Sequence, residues 1–80
     1  MIEINDECMC LVIDGHTIAS ARFSMYAAAD GNGAWIVSTH PGRLFCRNQA
    51  LTAMVLAERI AAGFGGDDPF VVGWSEQLCL

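Results

Sequence analysis

Lysine is absent from these 80 residues, and the only cations are Arg22, Arg43, Arg47 and Arg59. Set against nine acidic residues, they leave a formal net charge of −5. Nucleic-acid affinity is driven largely by neutralising phosphates, so direct nucleic-acid binding is disfavoured. An all-arginine set suits interfaces instead, because a planar, weakly hydrated guanidinium loses less on burial than an ammonium. Charge of either sign is scarce, with 16% of residues charged and 54% hydrophobic, where an average soluble domain has ~25% charged. Long apolar runs are missing as well. None approaches the ~20 residues that span a bilayer, so no membrane partner is expected. The opening segment, Met1 to Glu7, is acidic where a secretory signal is basic, which points to a cytoplasmic protein.

What remains is enough for a single domain over residues 1–80, since domains seldom divide below ~200 residues. A chain this short buries only ~60% of the surface its unfolded form exposes. Association with a second copy or another protein is the usual supplement. Four cysteines, Cys8, Cys10, Cys46 and Cys79, raise the question of disulfides. In a reducing compartment, free thiols are the default.

Asp14-Gly15 lies between two β-prone runs and is a preferred pair for a two-residue type I′ hairpin. It predicts strands over 8–13 and 16–24. A regular register would set Val12 against Thr17, Cys10 against Ala19 and Cys8 against Ala21 on one face. Asp30-Gly31-Asn32-Gly33 marks a second turn before a strand from Ala34 to about Thr39. His40-Pro41-Gly42 ends that strand, because proline donates no ladder hydrogen bond. Ile2 to Asn5 either pairs at an edge or frays. A helix follows over about Arg47–Ala62, with Asn48 or a neighbour as its cap and Gly63, Gly65 and Gly66 at its end. Asp67-Asp68-Pro69 starts a short tail helix to about Gln77, with proline at the first helical position and acids at the positive end of the dipole. The expected fold is α+β: a three-stranded antiparallel β-meander packed against one long helix plus a short tail helix.

In that arrangement the helix stripe of Ala50, Ala53, Leu56, Ala57, Ile60 and Phe64, flanked by Met54 and Ala61, rests on the small-residue sheet face of Cys10, Ala19 and Ala21. Met9, Leu11, Ile13 and Ile18 then lack cover on the other face, as do Leu51, Val55 and Ala62 on the helix. The alternative is that the first strand is buried on both sides by the two helices, giving a compact monomer. Surplus apolar surface points to a homodimer or a protein partner, anchored by Leu11, Ile18, Leu51, Val55, Phe70 and Trp74, with Arg22 or Arg59 at the rim.

Motifs for chemistry are sparse. Gly31-Asn32-Gly33 precedes a strand rather than a helix and is followed by no lysine, so it is not a phosphate cradle. The last two helices have about the length of a helix-turn-helix, but the second carries acids and no arginine. An acidic protein that occupies a partner's nucleic-acid site is one alternative. A small metal-binding or cysteine-dependent module using Cys8, Cys10, Cys46 and His40 is another; a thiol just before a helix, such as Cys46, can have a lowered pKa. Neither yields a complete catalytic or cofactor motif, so no catalytic residue, metal or cofactor is assigned.

The stretch Arg47 to Ala53, with Ala57-Glu58, Asp68-Pro69-Phe70 and Trp74, resembles segments of small uncharacterised proteins of actinobacteria and their phages. The resemblance covers roughly the last 35 residues. It implies a phage or host accessory protein and assigns no activity. A non-enzymatic interaction protein is therefore the leading expectation.

Overall fold

The computed structural model describes residues 1–26 and 33–78. The turn expected at Asp30-Gly31-Asn32 and the thiol of Cys79 lie outside the described residues. Within them the chain is α+β, as expected, but its antiparallel sheet has five strands rather than three. In order they are β1 (Ile2–Ile4), β2 (Cys8–Ile13), β3 (His16–Ser24), β4 (Ala34–Val37) and β5 (Leu44–Phe45), each hydrogen-bonded to the next. Two helices follow, α1 (Arg47–Ala61) and α2 (Pro69–Leu78). The added strands are the two edges, of three and two residues, too short to show an alternating pattern.

Asp14-Gly15 forms the expected tight turn, with both residues at positive φ, 52° and 79°. The register beyond it differs from the regular hairpin. Val12 pairs with Thr17, but Leu11 pairs with Ala19, so Ile18 is an extra residue in a β-bulge. A one-residue shift exchanges the faces of everything beyond it. Met9 and Leu11 join Ala19 and Ala21 on the helix side, and Cys8 and Cys10 turn to the other. Met9 and Leu11 are both 0% exposed, each gaining about 2 kcal/mol from burial. The earlier assignment of Leu11 to an open face is thereby corrected: it is core.

α1 crosses that face. Its start is set by Cys46, not Asn48: Gln49 reaches back so that its Oε1 accepts the Cys46 N–H at 2.9 Å. Ala50, Ala53, Met54 and Leu56 are the buried residues of α1. Opposed alanines at 19, 21, 50 and 53 let backbone approach backbone, while Met9, Leu11, Val37, Met54 and Leu78 supply the largest fully buried side chains. On the sheet, Phe23 stacks on Trp35 with ring centroids 6.0 Å apart.

β4 ends at Val37, two residues before the expected Thr39, and Gly42 (φ 83°) turns the chain back into β5. α2 comes close to α1 and to no strand, burying Val71 and Leu78. The sheet face carrying Cys8, Cys10, Arg22, Ile36 and Leu44 has no covering element among the described residues. None of the described helices is long and apolar enough to cross a membrane.

Candidate interaction groove

α2 occupies one flank of α1 and leaves the other open. Along that open flank, Ala53, Leu56, Ala57, Ile60 and Ala61 recur at helical spacing and form one wall of a groove of about 490 Å³. Ile18 of β3 forms the facing wall with Thr39 and His40, which lie between β4 and β5. The bulge that buries Leu11 therefore also projects Ile18 to this wall, where it stays 53% exposed. Ile60, at 52%, faces solvent across the same opening. Thr39 and His40 are the polar members of the lining. Their side chains share a hydrogen bond, Oγ1 to Nδ1, at 2.8 Å, and the His40 ring stands edge-on to Phe45 at 5.5 Å.

Of the eight expected anchors, only Ile18 lies in the groove. Leu11 is core, and Leu51 and Trp74 are partly buried against that core. Val55 is half-buried on α1. Arg22 is exposed on the uncovered sheet face, across from Cys8 and Ile36.

Arg59, expected at a rim, is instead the clasp of the helical hairpin. Its Nε and a terminal nitrogen donate to the two Asp68 carboxylate oxygens at 2.7 and 2.9 Å. Its guanidinium lies over the rings of Phe64, at 3.9 Å, and Phe70, at 4.7 Å. Phe70 also tilts against Trp74. Asp68 Oδ2 accepts the Val71 N–H at 3.0 Å, capping α2. The Arg59 hydrogen bond is the main reason the Asp68 carboxyl falls to about 2, with the Val71 and Phe70 amides adding to it against the cost of desolvation. The same hydrogen bond raises Arg59 above its ordinary value.

The residues weighed for metal or thiol chemistry do not converge. Cys8 and Cys10 lie on β2, where Cys8 Sγ accepts from Asn5 Nδ2 at 3.0 Å. Cys46 is exposed at the start of α1, and His40 is engaged with Thr39 and Phe45. Among the described residues no three His, Cys, Asp or Glu side chains group closely enough to hold a metal ion.

The groove residues that sequence reasoning missed were legible only in part. Ile60 stood in the apolar stripe of α1, but its exposure depends on where the sheet ends beneath the helix. Fold and groove together define a two-layer α+β domain with an open apolar cleft. No protein-family model, curated protein or solved structure matches the chain.

Proposed function

We propose that this chain is a small, non-enzymatic interaction protein of the accessory type found in phages and their hosts, and that it holds an apolar segment of a protein partner in the groove beside α1. The carrying observation is the groove's lining: six of its eight residues are apolar, and its two opposing isoleucines are about half exposed. Surfaces of this kind mark binding sites more often than bare solvent contacts. Free thiols at Cys8, Cys10 and Cys46 fit a reducing cytoplasm. The partner is a second protein, host or phage, or a second copy of this chain.

Ile60→Asp tests the reading, because it places a charge in the groove without touching a buried residue. The variant should keep its circular dichroism spectrum yet lose both the proteins co-purified by the wild type and any self-association seen by sedimentation velocity. Identical co-purification and sedimentation of the two proteins would sink the proposal.

A further inference from the structure

The two edges of the sheet are not equivalent. β5 offers two residues and runs straight into the cap of α1. β1 is held firmly from one side only. The Val12 N–H donates to the Met1 carbonyl at 2.8 Å and the Asn5 N–H to the Cys8 carbonyl at 2.9 Å. Asn5 Oδ1 fixes the turn between the strands by accepting the Glu7 and Cys8 N–H groups at 2.9 and 2.8 Å. Hydrogen-bonded pairs alternate along an antiparallel ladder. Glu3 therefore bonds to Cys10, while Ile2 and Ile4 aim their N–H and C=O groups away from β2, where the sheet has no further strand among the described residues. This edge carries no proline, lysine or bulge; of the devices that commonly blunt a free strand it has only its three-residue length and the charge of Glu3.

The side-chain charges of this edge and its adjoining turns are acidic, while the Met1 ammonium is taken up by the Val12 carbonyl at 2.9 Å and by Glu58 at 3.4 Å. Glu3, Asp6, Glu7 and Asp14 all precede the first basic residue, Arg22. Glu3 is exposed and, lying across from Cys10, stands on the uncovered face; Asp6 and Glu7 are exposed in the adjoining turn. On the helix side, Ile2 packs against the core and Ile4 is 47% exposed. A second copy pairing antiparallel through the same residues would set Glu3 directly against Glu3, a destabilising cross-strand pair. An alternating apolar–basic–apolar strand is complementary on both faces.

We propose that the edge of β1 binds an extended basic segment of a protein partner as an added antiparallel strand, with a lysine or arginine opposite Glu3 and apolar residues beside Ile2 and Ile4. Upstream basic residues of that segment fall next to Asp6 and Glu7. This surface shares no residue with the groove, and it stands or falls independently of it. The backbone supplies affinity and the alternating side chains supply selection.

The test uses the full chain, amide-resolved NMR and two capped octapeptides. One has a central Val-Lys-Val preceded by two lysines; the other replaces every lysine with glutamate. The lysine peptide should shift the Ile2 and Ile4 amides and slow their exchange, with affinity about fivefold or more above that of the glutamate peptide. Added salt should narrow that ratio. Glu3→Lys, an exposed change that leaves the core untouched, should narrow that ratio at Ile2 and Ile4, with Asp6 and Glu7 still favouring the two leading lysines. Three results would each overturn the proposal: no perturbation of Ile2 and Ile4 by either peptide at millimolar concentration, equal binding of both peptides, or peptide-independent, concentration-dependent shifts showing that a second copy fills the edge.

Discussion

Leu11→Ala and Ile18→Ala should have very different effects, although a regular hairpin would give the two residues equivalent places. Leu11 is 0% exposed beneath α1, so truncation loses its transfer energy and leaves an enclosed cavity, together about 3 kcal/mol. A domain of this length has roughly 4–12 kcal/mol in total. With a urea dependence of about 1 kcal/mol per molar, the midpoint should fall by about 3 M. Ile18 is 53% exposed on an open groove wall. About half of its ~2 kcal/mol burial energy is at stake and no closed cavity forms, so its midpoint should fall by about 1 M. Urea unfolding followed by tryptophan fluorescence suits both variants, because Trp35 and Trp74 report on the sheet and the helical hairpin. Equal shifts, or a larger one for Ile18, would refute the bulged register, since only the bulge separates the environments of these two residues.

The Arg59–Asp68 clasp makes a pH prediction. Asp68 is held at about 2, below its ordinary 3.8, so its stabilisation is complete above pH ~4 and is lost as pH falls toward 2. Asp68→Asn should therefore lower the melting temperature most at neutral pH, with the gap to wild type closing between pH 4 and 2; a constant gap across that range would contradict the assigned ion pair. Gly33 has φ 78°, and a Cβ there would meet the Phe23 ring at 2.5 Å. Gly33→Ala should cost about 1–3 kcal/mol through strain and overpacking, visible as a lower urea midpoint and an altered near-ultraviolet signal from the Phe23–Trp35 stack. An unchanged midpoint would contradict the close approach of Gly33 to the Phe23 ring.

Local signals in the chain were legible where one residue type had one use. Asp14-Gly15 implied its turn, because its two residues tolerate positive φ. Pro69 behind two acids implied the start of α2, and Asp68 does cap it. The edge strands were harder to read. β5 is two residues between a Pro-Gly turn and a helix cap, and it exists because β4 offers it a ladder. The Arg59 clasp was hidden for a different reason: Arg59 and Asp68 are nine residues apart, and no helical or strand spacing brings them together without the intervening turn.

The bulge was the decisive omission, and its physical origin explains why. Nothing in His16-Thr17-Ile18-Ala19 marks an extra residue; what selects it is the balance between two whole faces. In the regular register the face beneath α1 would hold Cys8, Cys10, Ala19 and Ala21, while Met9 and Leu11 would lie in water. Inserting Ile18 as the unpaired residue brings the two large side chains and the two alanines onto one side, filling the space under a helix whose own contact residues include Ala50 and Ala53. A helix with bulkier residues there could not approach closely enough to bury them. The displaced Ile18 then has no place in the ladder's alternation and becomes a wall of the open groove. Closing the core and opening the cleft are in this sense one event. A deletion of Ile18 should leave the pairs Leu11–Ala19 and Val12–Thr17 in sequence while removing the wall, separating the stability of the sheet from the capture of a partner.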